Sequence, residues 1–109
     1  MEGFEVTTLS DPTVVVERLR DEVFHLVVLD QTMPKLTGLE LLGEIRAFDD
    51  DIAVIMTTVN PSLETAAASI PYGVSAYIRL PLGLDEFRDA IAWIMKKKGF
   101  VSHREDDDY

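Results

Sequence analysis

Twice in this chain an unbroken apolar run, too short for a helix, stops abruptly at polar side chains. Leu26-Val27-Val28-Leu29 ends at Asp30, and Ile52-Ala53-Val54-Ile55-Met56 ends at Thr57 and Thr58. A strand covered on both faces has this pattern, because neither side of its pleat meets water. Between the two, from Thr37, the spacing changes to a helical period. Leu41, Leu42, Ile45 and Phe48 share one stripe, Glu40, Glu44 and Arg46 lie away from it, and the acidic run Asp49-Asp50-Asp51 ends the helix.

The same alternation extends in both directions. Phe4, Val6 and Thr8 alternate with Glu5 and Thr7, predicting a short strand that ends near Leu9. Asp11 followed by Pro12 suits a helix start, since a carboxylate accepts free backbone N–H groups and proline is tolerated at the first helical position. Val15, Val16 and Leu19 mark the face that this helix buries. After the second apolar run, alanines at 66, 67 and 68 favour a third helix, which Pro71 and Gly73 end early. Residues 74–79 are the last expected strand. Leu84, Phe87, Ile91, Ile94 and Met95 then recur at helical spacing up to Lys96-Lys97-Lys98 and Gly99, where cations and a glycine suit a C-terminus.

Four strands alternating with helices over short links imply a parallel sheet with helices on both faces. Sites in such sheets lie at the C-terminal ends of the strands. Asp30, the Thr57-Thr58 pair and Leu80-Pro81 all fall there.

Composition narrows the chemistry. At 109 residues the chain suits one domain, and 20 Asp and Glu against 10 Lys and Arg give a net charge of -10, so nucleic acid is not an expected partner. The absence of cysteine excludes a disulfide framework, a thiolate metal site and a cysteine nucleophile. No apolar run approaches the ~20 residues of a membrane-spanning helix. Nor does a basic and then apolar segment open the chain, so a cytoplasmic location without membrane association is expected.

The stretch Asp30-Gln31-Thr32-Met33-Pro34-Lys35-Leu36-Thr37-Gly38 resembles the signature of the response-regulator receiver domain, in which a strand-end aspartate is followed by Met-Pro and then glycine. Thr58, Ser75-Ala76-Tyr77 and Pro81 stand at the spacing of that family, and the resemblance runs from Phe4 to Lys98. It implies a flavodoxin-like α/β fold. It also implies a phosphorelay role, in which an aspartate accepts a phosphoryl group from a histidine kinase or phosphotransfer protein, with Mg2+ bound, and the resulting change passes to a downstream effector. Carried over by position, Asp30 is the phosphoryl acceptor, the main-chain carbonyl of Thr32 a metal ligand beside Asp30, Thr58 a hydrogen-bond donor to a phosphoryl oxygen, and Tyr77 the switch aromatic. Residues 1–100 form the expected receiver domain and residues 101–109 an acidic tail. No catalytic activity beyond this self-modification is expected.

The chain departs from the family pattern in two places. An acidic pair at the end of the family's first strand holds Mg2+, and the sequence starts beyond the point where that pair would fall. Asp30 with one carbonyl and waters makes a weak Mg2+ site. The fold is accordingly expected to lack its first strand and helix, and an exposed apolar groove left there would favour a homodimer. Leu80 also stands where the family has a lysine that pairs with phosphoryl oxygens. Charge stabilisation is the main lever in phosphoryl transfer, so both changes slow it.

A competing reading is a pseudo-receiver, which keeps the fold and a partner surface around residues 62–84 but signals without phosphorylation. An aspartate-based phosphatase is set aside, because that chemistry needs a second aspartate where Thr32 stands. His25 is expected to be a partly exposed linker residue, and the acidic stretch at 105–108 a solvated terminus.

Overall fold

Asp11 and Pro12 start the first helical segment as their chemistry requires. The Asp11 carboxylate accepts hydrogen bonds from the Thr13 amide at 3.0 Å and the Thr13 hydroxyl at 2.6 Å. Pro12 opens a single 3-10 turn, Pro12–Val14, which runs into α1, Val15–Asp21. The structure, a computed structural model, describes Thr7, Leu9, residues 11–31 and residues 37–99. The strand expected over residues 4–9 lies outside the described residues, apart from Thr7 and Leu9, and so does the acidic tail at 101–109.

Both apolar runs are strands. β1 is Leu26–Asp30, β2 is Ala53–Thr58 and β3 is Ala76–Arg79; among the described residues they make a three-stranded parallel sheet in the order β1-β2-β3. Leu26 pairs with Ala53 and Asp30 with Thr57, while Ile55 pairs with Ala76 and Thr58 with Arg79. Every residue of the central strand β2 is buried, as an unbroken apolar run requires. The expectation for β1 needs correction: Val28 is 41% exposed. Val27 and Leu29 turn toward the core, so strand alternation puts Val28 on the other face, which the described residues cover only in part.

Helix α2, Gly38–Phe48, covers the first face. Leu41, Leu42 and Ile45 are fully buried and pack with Leu29, Val54 and Met56, joined at the rim by Val15, Val16, Leu19 and Tyr77. Burying each side chain of this size contributes about 1.5–3 kcal/mol. Thr37 caps the helix reciprocally with Glu40: its hydroxyl accepts from the Glu40 amide at 3.2 Å and its own amide donates to the Glu40 carboxylate at 3.0 Å. Phe48 does not continue the buried stripe. As the last residue of α2 it is 42% exposed, and the Arg20 guanidinium lies 5.4 Å from its ring centre.

Helix α3, Leu63–Ser69, is short as expected, and Ser62 caps it by accepting from the Thr65 amide. A 3-10 turn, Ile70–Tyr72, contains Pro71, and Gly73 then takes a left-handed conformation at φ 67° that only glycine adopts without cost. Arg46 from α2 ties this corner down. Its guanidinium donates to the carbonyls of Tyr72 at 2.6 Å, Asp49 at 3.1 Å and Gly73 at 3.3 Å.

The sheet and α1, α2 and α3 belong to one compact unit, Leu9–Pro81. The second unit comprises Met1–Thr8 with Leu82–Tyr109, and its helix is α4, Leu84–Lys97. Asp85 and Glu86 in the first turn and Lys96 and Lys97 in the last complement the helix dipole. Ile91 and Ile94 are buried, but Leu84, expected on the same stripe, is 69% exposed, because burial along the stripe does not extend back to the first residue. No helix among the described residues is long and apolar enough to cross a membrane.

Candidate functional site

Asp30 is the last residue of β1 and its side chain is exposed at the C-terminal end of the sheet. Three contacts hold the peptide that follows it. The Gln31 amide donates to the Thr57 carbonyl at 2.8 Å, extending the β1–β2 ladder by one rung. The Gln31 carbonyl accepts from the Gly38 amide at 3.3 Å, and the Gln31 side-chain oxygen accepts from the Leu39 amide at 2.9 Å. Gly38 sits so close that a β-carbon there would lie 2.8 Å from the Asp30 carbonyl oxygen and 2.9 Å from the Gln31 α-carbon. This is the physical reason for the glycine in the sequence signature: the start of α2 rests directly on the main chain of Asp30.

Register decides which threonine stands beside Asp30. Thr57 is its direct partner, and the Thr57 hydroxyl donates to the Leu29 carbonyl at 3.3 Å. Thr58 is one residue further along and almost wholly buried. Its hydroxyl oxygen accepts from the Asn60 amide at 3.1 Å, and its carbonyl accepts from the Leu80 amide at 2.7 Å. Tyr77 pairs with Met56, so Thr58 and Tyr77 are diagonal neighbours on the core side of the sheet. Among the described residues the buried Tyr77 hydroxyl has no hydrogen-bond partner. Leu80 follows β3 and Arg79 is exposed at its end.

Asp30 and Thr58 therefore stand at the C-terminal ends of the adjacent strands β1 and β2, and Tyr77 lies two residues before the end of β3, while Thr32 and the Met33-Pro34 pair lie outside the described residues. Among the described residues no three acidic or histidine side chains come together to hold a metal ion. His25 is exposed, as expected for a linker position. Sequence reasoning did not find Gln31 and Thr57 as residues that hold Asp30. Thr57 was legible in principle from the parallel register of two adjacent apolar runs. The reach of Gln31 to Leu39 was not, because it spans eight residues with no periodic trace.

The chain matches the response regulator receiver domain family over residues 1–92. It is 31% identical over 86 residues to the transcriptional regulatory protein ZraR of Klebsiella oxytoca, an alignment covering 79% of this chain and 19% of ZraR. It is 29% identical over 108 residues to the two-component response regulator ORR23 of Oryza sativa subsp. indica, covering 97% of this chain and 16% of that protein. The chain thus spans a fifth or less of the length of both relatives. Among solved structures, it resembles a CheY-like receiver domain protein from Methanospirillum hungatei with a TM-score of 0.75 and 27% identity, over 88% of this chain and 80% of that one. It also resembles the response regulator TrrA of Thermotoga maritima, solved with Mg2+ and beryllofluoride, with a TM-score of 0.74 and 26% identity, over 85% of this chain and 79% of that one. With its parallel strands, its strand-end aspartate and its family match across most of the length, this chain belongs to the response-regulator receiver domains of two-component systems.

Proposed function

We propose that the chain works as a phospho-accepting receiver module, with Asp30 as the acceptor. The observation that carries this reading is the exposure of the Asp30 carboxylate at the end of β1, on a peptide fixed by Thr57, Gly38 and Leu39. A carboxylate oxygen of Asp30 attacks the phosphorus of a phosphohistidine on a kinase or phosphotransfer protein. The P–N bond breaks, its electron pair stays on the imidazole nitrogen, and Asp30 becomes an acyl phosphate. Thr58 then turns its hydroxyl toward a phosphoryl oxygen, and Tyr77, its diagonal neighbour, follows it. The rearranged end of β2 and β3 is what a downstream effector protein reads. The module modifies itself and catalyses no further reaction.

Mg2+ supplies charge neutralisation to such a transfer when bound, and TrrA was solved with it. The described residues of this chain offer one carboxylate at the site, Asp30, which does not amount to a resident dication site. No step above depends on the metal. Leu80 at the lysine position favours a second reading: a receiver fold that binds its partner without phosphorylation.

Titration with beryllofluoride in Mg2+ buffer separates the two, followed through the backbone amide signals of Gln31, Thr57 and Thr58. A phospho-accepting site gives saturable shifts that Asp30→Asn abolishes; a phosphorylation-independent module gives none.

A further inference from the structure

We propose that Gln31 is a positioning residue for Asp30, a role that rests on reading Asp30 as the phosphoryl acceptor. The first amides of a helix have no intrahelical partner and are usually satisfied by the residue just before it. In α2 the work is divided. Thr37 takes the Glu40 amide, whereas the Leu39 amide is taken by a side chain from eight positions upstream, Gln31, at 2.9 Å. Because Gln31 also uses its main-chain N–H on Thr57 and its carbonyl on Gly38, one residue links the end of β1 to both β2 and α2. Its α-carbon is one of the atoms that leave no room for a side chain on Gly38.

The consequence falls on Asp30. Its carbonyl lies in the peptide that joins it to Gln31, so the acceptor's main chain cannot tilt without breaking the contacts of its neighbour. In-line attack on phosphorus tolerates little misplacement of the attacking oxygen; a shift of about 1 Å costs up to about a hundredfold in rate. A side chain that locks the following peptide therefore keeps the carboxylate aimed. A plain helix cap would affect stability alone.

The test compares rates of Asp30 phosphorylation by acetyl phosphate in Mg2+ buffer, alongside urea unfolding and amide exchange at Leu39. Gln31→Met keeps the length of the side chain and removes its acceptor. It is expected to speed Leu39 exchange and to slow phosphorylation about tenfold. Asp49→Ala is the stability control. It removes two hydrogen bonds, to the amides of Asp51 and Ile52, beyond the other end of α2, and it is expected to lower unfolding stability while leaving the rate unchanged. A wild-type rate in Gln31→Met overturns the proposal, as does a slowing matched by Asp49→Ala. Failure of the wild-type chain to label instead removes the acceptor reading on which the proposal stands.

Discussion

A β-carbon placed on Gly38 would lie 2.8 Å from the carbonyl oxygen of Asp30, closer than real β-carbons approach atoms remote from them along the chain. Two effects therefore oppose each other in Gly38→Ala. Alanine gains about 1 kcal/mol of helix propensity over glycine. Forcing a methyl group into packed backbone costs about 1–3 kcal/mol. The obstacle is backbone and cannot swing aside, so the steric cost is expected to prevail. Urea unfolding should show Gly38→Ala less stable than the wild type, with a perturbed Asp30 amide; a more stable variant would mean that α2 can withdraw from β1 freely.

Tyr77 carries a buried hydroxyl with no hydrogen-bond partner among the described residues. An unsatisfied buried polar group costs about 1–3 kcal/mol. Tyr77→Phe removes it while keeping the ring against the core, so a gain of about 1 kcal/mol in unfolding free energy is expected. Loss of stability would reveal an acceptor for the hydroxyl.

Glu40 gives a pH signature. The Thr37 amide, and after it the Thr37 hydroxyl, donate to its carboxylate and hold its pKa below the ordinary carboxylate value. Because the folded pKa is the lower one, the capping box contributes fully above the unfolded pKa and loses its contribution as pH falls through the folded value. The stability difference between wild type and Glu40→Gln should therefore be constant near neutral pH and shrink in acid, below the usual carboxylate range. A difference that does not change with pH would contradict the ionised cap.

Arg46 satisfies three carbonyls at once, on Tyr72, Asp49 and Gly73. Arg46→Met is expected to destabilise the chain by about 1.5–3 kcal/mol, the range for hydrogen bonds that involve a charged group. Arg46→Lys should recover only part of this, since an ammonium cannot present the flat fork that reaches three acceptors. Full rescue by lysine, in thermal or urea unfolding, would mean that charge alone matters.

Much of this was legible in the chain itself. The abrupt ends of two apolar runs put Asp30 and Thr58 at strand termini, and the helical stripe of Leu41, Leu42 and Ile45 named the core face of α2. Gly38 was legible as part of the signature that follows Asp30. Three apolar residues were misplaced: Val28, Phe48 and Leu84 obey the period of their elements yet are exposed. Periodicity reports the direction in which a side chain points but not where the covering surface stops, and each of these stands at an edge or an end. The Arg46 staple and the reach of Gln31 to Leu39 depend on tertiary placement, which no local pattern encodes. The pairing of Asp30 with Thr57 needed only the register of two parallel strands, but a single chain does not state that register.

The central claim is that Asp30 accepts a phosphoryl group, and intact-mass spectrometry of the chain treated with acetyl phosphate in Mg2+ buffer tests it most directly. The expected result is a single added phosphoryl group, labile to hydroxylamine as an acyl phosphate is and absent from Asp30→Asn. An unmodified mass under forcing conditions, or an adduct that persists in Asp30→Asn, would contradict it.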